Sequence, residues 1–259
     1  MSHKKRCYTS EVSDGQWQRI KWLLPKRQGA GRPMELELRA ILNVVVTGCQ
    51  WRNLPNDFPN PKSVYYHFRK WSTKGIWQRM NRAMGFLERR RVGRFPWASA
   101  GILDSQSVKT TDSGAERGYD GHKKVKGRKR HTLVDTLGNL LEVVVLAANR
   151  PDVEGAKAVL TKVERQIAVR LFKLWADQGY KGELSDWLFE HFQIQLEIVT
   201  AEVGQVGFAV QARRWVVERT FAWLGKFRRL SKDYERCTFS SEGMIYLASI
   251  HTMLKRLPF

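Results

Sequence analysis

Apolar positions recur at helical spacing through the first third of the chain. Trp17, Ile20, Leu23 and Leu24 follow Ser13 and Gln16, which stand three apart as a capping box, and Pro25 stops the run. A second helix is predicted from Glu35 to about Thr47, with Leu38, Ile41, Leu42, Val45 and Val46 on its buried face and Gly48 at its end. Between the two, KRQGAGRP (26–33) reads as a flexible basic linker. Pro55, Pro59 and Pro61 then interrupt the chain. Asn60-Pro61 caps a short helix, Lys62 to Trp71, that carries Tyr65, Tyr66, His67, Arg69 and Lys70. A helix, a proline-rich turn and a short basic-aromatic helix predict a helix-turn-helix-like arrangement, although a three-helix bundle with one basic face would use the same helices. A further helix, Ile76 to about Arg91, leads into the basic hinge RRRVGRF (89–95).

After residue 98 the period shortens to that of strands. Residues 99–108 form a short apolar run, and 129–148 read as a hairpin turning at Leu137-Gly138-Asn139. A helix over 152–167 capped by Asp152, a strand over 170–177, a helix over 182–192 and a strand over 193–200 follow, and then helices over 213–230 and 242–257. The fold class is therefore α/β: a mixed sheet flanked by helices, preceded by a helical, helix-turn-helix-like arm. The domains divide at residues 1–95 and 96–259.

Charge turns this outline toward a partner. Lys and Arg number 45 against 25 Asp and Glu, a formal +20 in 259 residues, and the first 100 residues hold 20 of the basic side chains but only 6 of the acidic ones. Such a field attracts polyanions, nucleic acid first among them. On the third predicted helix, Lys62, Tyr65, Arg69 and Lys70 are the candidates for DNA contact. In the body, GHKKVKGRKR (121–130) gathers Lys123, Lys124, Lys126, Arg128, Lys129 and Arg130 as a phosphate track; the same string would also serve as a lysine-blocked sheet edge. His122 and His131 beside it read as phosphate neighbours or surface residues. Cys7, Cys49 and Cys237 are odd in number and far apart, which excludes a disulfide scaffold and a structural zinc site and fits a reducing cytosol. No apolar run approaches membrane-spanning length, and no secretory signal stands at the N-terminus, so a cytoplasmic protein with no membrane partner is expected.

Three acids stand out. Asp104 and Asp177 follow apolar strand residues, where the carboxyl ends of strands open into a shared crevice. One such Asp is explained by capping a loop. Two on neighbouring strands repel unless a cation lies between them, so a metal reading competes with the capping one. Glu218 lies in the apolar helical string RRWVVERTFAWL, and an i,i+4 pair with Arg214, worth only ~0.2–0.5 kcal/mol, does not account for an acid there.

The strings ILDSQSVKT, GYDGHKKVKGRKRHTLVDTLGNLL, ADQGYKG and RRWVVERTFAWLGKFRRLSKDYE, with QWRNLP and YYHFRKW upstream, resemble the D-D-E transposases of bacterial insertion sequences, family five. The resemblance runs in order over nearly the whole chain. It implies an RNase H-like catalytic domain in which Asp104, Asp177 and Glu218 are the catalytic and metal-binding triad, served by two Mg²⁺ ions with Mn²⁺ able to substitute. Three carboxylates suit such a hard ion, and no imidazole is needed. In the family's signature Tyr-x₂-Arg-x₃-Glu-x₆-Lys, Arg214 and Glu218 match, Gln211 stands at the Tyr position and Gly225 at the Lys position. Lys226, Arg228 or Arg229 then supplies the missing cation, and these with Arg214 complete the DNA-binding set. Only 40 residues separate Asp177 from Glu218, which leaves no space for a β-rich insertion. The implied activity is cut-and-paste transposition: binding of terminal inverted repeats, strand hydrolysis, and joining of the 3′-hydroxyl to target DNA. The implied partner is double-stranded DNA, with a homodimer or higher assembly at synapsis and the bacterial nucleoid as the location. The rivals are a metal-dependent endonuclease that cuts without joining and a catalytically silent DNA-binding regulator.

Overall fold

Ser13 Oγ accepts the Gln16 N–H and Gln16 Oε1 accepts the Ser13 N–H, so α1 (Asp14–Ile20) starts on the predicted capping box; it tightens into a 3₁₀ turn over Lys21–Leu23. The computed structural model describes residues 11–25, 38–111, 116–163, 165–200 and 213–257; the 26–33 linker, Cys7 and Gln211 lie outside the described residues. Helix α2 (Leu38–Thr47) ends at Gly48, whose φ of +65° is the left-handed conformation that glycine adopts without penalty. After a 3₁₀ turn at Trp51–Asn53, α3 (Pro61–Thr73) begins with Asn60 Oδ1 accepting the Lys62 N–H and Pro61 in its first turn. Helix α4 (Ile76–Arg91) follows at the predicted bounds.

The body then runs β1 (Ala100–Lys109), β2 (Gly118–Asp120), β3 (Val125–Asp135), β4 (Leu140–Ala147), α5 (Asp152–Lys162), α6 (Arg165–Ala168), β5 (Lys173–Ala176), α7 (Leu184–Phe192), β6 (Gln195–Ile198), α8 (Trp215–Gly225) and α9 (Thr238–Leu254). Across the sheet the strands lie in the order β4-β3-β1-β5-β6, with short β2 on the first residues of β3. Pairs β1–β3 and β3–β4 are antiparallel, and β1–β5 and β5–β6 are parallel. Side chains alternate between the two faces with the strand period of two. Ile102, Val134, Val143, Val145 and Trp175 pack on one face with Val217 of α8 and Leu247 of α9. Leu103, Leu133, Val144 and Leu174 pack on the other with Val159 of α5 and Leu188 of α7.

The N-terminal helices share the first of these cores. Ile41, Val45, Phe68, Trp77 and Met80 belong to the same buried cluster as Ile245, Ile250 and Met253. Helix α9 is apolar on nearly every side because it has neighbours on nearly every side: α2, α3 and α4 against one flank and β4 against another.

Several element bounds differ from the sequence expectation. Asp152 is the first helical residue of α5 and Pro151 is its cap; the predicted helix over 152–167 is broken at Val163, which takes an extended conformation. Helix α8 stops at Gly225 so that Phe227, extended in backbone, can bury its ring before a 3₁₀ turn over Arg228–Leu230. Helix α9 starts a turn earlier than Glu242, because Ser240 and Ser241 are buried in its first turn and the Ser241 hydroxyl donates to Asp233 at 2.6 Å.

Candidate active site

The parallel register sets the site. Ile102 pairs with Trp175 across β1 and β5, so two residues further along each chain Asp104 and Asp177 come level on the same face. Asp104 lies inside β1 rather than past its end, because β1 continues to Lys109 along β3, with Asp104 opposite Thr132, after β5 has stopped at Ala176. The parallel pairing ends there, and the crevice opens. Asp177 caps the 3₁₀ turn Gln178–Tyr180, its Oδ1 accepting the Gly179 N–H at 2.9 Å. Glu218 occupies the first turn of α8. Its neighbours Val216 and Val217 take the core-facing positions, and the Glu218 side chain is left 43% exposed over the strand ends.

One guanidinium joins the three. Arg214 Nη2 stands 3.7 Å from Asp104 Oδ2, 3.6 Å from Asp177 Oδ2 and 3.7 Å from Glu218 Oε1. Among the described residues, no three His, Cys, Asp or Glu side chains stand close enough to hold a metal ion as placed. The donor set nevertheless suits one in kind: three hard carboxylate oxygens converge on a single cationic centre. To reach the ~2.0–2.1 Å of Mg²⁺ coordination each would have to move inward by roughly 1.5 Å.

Burial pushes the Asp104 carboxyl up to about 6; the neighbouring Asp177 adds to the rise, and the Ser105 N–H at 2.7 Å, Arg214 and Lys123 oppose it. Tyr180, fully enclosed beneath the site, has its hydroxyl raised well above the ordinary tyrosine value by burial and by Asp104, Asp152 and Asp177. Asp152 is a fourth acid at the rim. Its Oδ1 accepts the Ser105 hydroxyl at 2.8 Å and pairs with Lys129 at 3.2 Å, and its Oδ2 lies near Gly179. A Cβ at Gly179 would sit 3.1 Å from Asp177 Oδ1 and 3.4 Å from Asp152 Oδ2, so glycine keeps the gap between the two acids clear. From the sequence alone Asp152 reads only as a helix cap. Its position at the start of the helix that follows the hairpin carried no signal of which strand lay beside it.

Residues 98–253 match the family model "Transposase DDE domain", and residues 12–81 match "Putative transposase of IS4/5 family". The chain belongs to the DDE transposase family. It is similar to the "Putative transposase for insertion sequence element IS402" of Burkholderia cepacia, at 30% identity over 116 residues, 42% of this chain; the match spans about half of that relative, 54%. A solved structure, the Mos1 mariner paired end complex with Mn, shows a TM-score of 0.30 and 10% identity over 94% of this chain and 84% of that one, a likeness too slight to bear on the site.

In this DDE transposase the meander of β1, β3 and β4 beside parallel β5 and β6 is the RNase H-like sheet that the resemblance implies. The predicted DNA-contacting cations divide into two groups. Lys62, Arg69 and Lys70 on α3, Lys123, Lys124 and Lys126 on the β2–β3 hairpin, and Lys226 and Arg228 after α8 are exposed. Lys226 and Arg228 line a groove of about 460 Å³ with Lys255, Arg256, Trp223 and Phe227.

The others are committed elsewhere. Arg128 is fully buried, pairs with Asp233 at 3.1 Å and donates to the carbonyls of Glu116, Glu235 and Arg236. Lys129 is buried against Asp152 and the Arg150 carbonyl, and Arg130 donates to the Leu230 carbonyl and Gln106. Beyond Lys126, β3 is an interior strand and its three cations, Arg128, Lys129 and Arg130, are buried anchors. Arg229 is buried, lies over Trp51 and binds Glu235 and the Cys49 carbonyl, so it is not free for DNA, whereas Tyr65 packs its ring edge-on to Trp51 at 5.0 Å and stays half-buried. His131 is buried rather than at the surface, its pKa lowered to about 4 mainly by desolvation. Among the described residues, no helix is long and apolar enough to cross a membrane.

Proposed function

We propose that this DDE transposase binds the terminal inverted repeats of an insertion sequence, hydrolyses a strand at each element end and joins the freed 3′-hydroxyl to target DNA. The observation that carries the reading is the convergence of Asp104, Asp177 and Glu218, from a strand, the turn after its parallel neighbour and a helix, onto one guanidinium. DDE transposases generally use divalent metal ions, and these three carboxylates would hold them, Mg²⁺ in the first place. The bound ions would supply charge neutralisation at the attacking and leaving oxygens of an in-line displacement. In the first step a water oxygen bonds to phosphorus, the bond from phosphorus to the 3′ oxygen breaks, and that oxygen leaves protonated. In the second step the 3′-hydroxyl attacks a phosphodiester of the target in the same way.

The chain's own residues shape that step. Ser105 and Asp152 fix the backbone and rim beside Asp104, and enclosed Tyr180 closes the floor against water. The exposed cations of α3 and of the β2–β3 hairpin hold the DNA backbone. Bringing two ends together calls for at least a dimer.

The test incubates the full chain with element-end duplex, target DNA and Mg²⁺ or Mn²⁺. Nicks at the element end and a joined product are expected. Asp104→Asn, Asp177→Asn and Glu218→Gln should each lower cleavage at least a hundredfold while end binding persists. Cleavage at the wild-type rate in any one variant removes that residue from the triad, and nicking without a joined product reduces the protein to an endonuclease.

A further inference from the structure

Arg214 is placed against its own helix. It is the cap residue of α8, at the end where the helix dipole is positive and a cation is disfavoured. The residue before it, Arg213, has a φ of +74°, a left-handed conformation that is strained for a non-glycine residue. Arg213 is held there with its guanidinium over the Trp175 ring at 4.9 Å. A strained turn and an adverse dipole are tolerated at this point, and what they accomplish is to aim the Arg214 guanidinium between three acids.

The balance of charge explains why that helps. Asp104 is buried, and Asp177 opposes its ionisation. Three carboxylates around one space repel one another unless a positive charge lies among them. Lys123 eases the repulsion from the side of Ser105, whose carbonyl it reaches at 3.0 Å. Arg214 Nη2 is near all three, at 3.6–3.7 Å, a spacing that leaves each oxygen short of full hydrogen-bond contact. The guanidinium is thus close enough to offset the charge of all three acids.

We propose that Arg214 is the resident counter-ion of the triad: it gathers Asp104, Asp177 and Glu218 in the metal-free protein, and a divalent ion displaces it from the same oxygens. The inference rests on the triad reading proposed above and goes beyond it, because it makes Arg214 and the metal competitors. Arg214 is a positioning residue by this account. Once displaced, its guanidinium remains on the rim of the crevice, on the α8 side, where a DNA phosphate would take it up.

Mn²⁺ binding to the full-length protein without DNA, followed by titration calorimetry and by the loss of free-ion paramagnetic resonance signal, tests this directly. The variants are Arg214→Gln, Arg214→Lys and Asp104→Asn, each also unfolded thermally in chelator and in excess Mn²⁺. Arg214→Gln should bind Mn²⁺ at least tenfold more tightly than wild type and melt lower in chelator, with the melting difference closing when Mn²⁺ is added. Arg214→Lys, which keeps a charge but lacks the fork, should fall between the two. If Arg214→Gln does not fold, the lysine variant carries the comparison. Mn²⁺ affinity that is unchanged or weaker in both variants, while Asp104→Asn abolishes binding, overturns the counter-ion role and leaves the triad standing. Absence of Asp104-dependent Mn²⁺ binding from wild type and both Arg214 variants overturns the triad as a metal site, and this inference with it.

Discussion

Arg128 and Lys123 lie five residues apart near one hairpin, and their charges serve different ends. Arg128 is enclosed, and its guanidinium ties β3 to Asp233 and to the carbonyls of Glu235 and Arg236, close to the start of α9. Removing it leaves Asp233 as a buried charge without its partner. Arg128→Ala should therefore cost about 3–5 kcal/mol of stability, read as a lower denaturation midpoint in urea. Lys123, Lys124 and Lys126 are exposed, with Lys124 in the left-handed conformation at the hairpin turn. Lys123 also reaches the Ser105 carbonyl beside Asp104, so the test replaces Lys124 and Lys126 by Ala, which should leave stability within about 0.5 kcal/mol of wild type per site and weaken DNA binding without regard to sequence. For every DNA phosphate that these lysines neutralise, the substitution should flatten the salt dependence of binding by roughly 0.9 in log–log slope. An unchanged slope would make these lysines a solubilising edge only. In the sequence the six cations of 121–130 are one string, and nothing in their types separates the three exposed residues from the three buried ones. The register of β3 between two strands does that, and register is a property of the fold.

At the scale of elements, the turn between β3 and β4 holds the helix that carries Glu218. Asp135 accepts the N–H groups of Leu137 and Asn139 and so shapes the turn, and Arg89 of α4 secures Asp135 at 2.8 Å. The turn in its own right holds α8: the Thr220 hydroxyl donates to the Gly138 carbonyl at 3.0 Å, and Arg219 donates to Leu137 at 3.0 Å. Gly138 has a φ of +79°, and a Cβ there would lie 2.8 Å from Thr220 Oγ1. Gly138→Ala should thus cost more than the ~1 kcal/mol of left-handed strain alone and should shift α8, lowering cleavage as well as stability. Urea unfolding and a cleavage assay on the same variant check both effects; reduced stability with full cleavage would show that α8 is placed by its core residues alone. The turn residues themselves were legible in the sequence, as Leu137-Gly138-Asn139 between two β-branched runs. So were the capping box at Ser13 and the bounds of α4, because each depends on neighbours in the chain. The contact of the turn with α8, some 80 residues away, has no local signature.

At the scale of the whole molecule, the charge asymmetry divides the sequence at about residue 95, whereas the packing does not. Ile41, Phe68 and Trp77 share a core with Ile250 and Met253, so deletion of residues 1–95 should leave α9 uncovered and give an aggregated or unfolded product by light scattering and circular dichroism. His251 lies in that shared core, enclosed near Phe227, and its pKa is lowered to about 4, chiefly by desolvation and then by Lys255, with a hydrogen bond to the Leu42 backbone opposing. In the unfolded chain it titrates near ~6.5. Between those values the unfolded state binds the proton and the folded state does not, so stability falls as pH drops from about 6.5 to about 4, by on the order of 3 kcal/mol for this one group. Other groups act in the same range, among them the buried carboxyls of Glu142 and Glu235, which burial raises and which therefore oppose the loss. His131, also lowered to about 4, adds to the loss, while Asp104, raised to about 6, binds a proton more readily when folded and opposes it. His251→Gln isolates the first contribution. Whatever its stability at pH 7, its unfolding free energy measured in urea at several pH values between 7 and 4 should vary less steeply than that of wild type. Parallel curves would mean that His251 keeps an ordinary pKa and that the joint between the N-terminal helices and α9 is open to water.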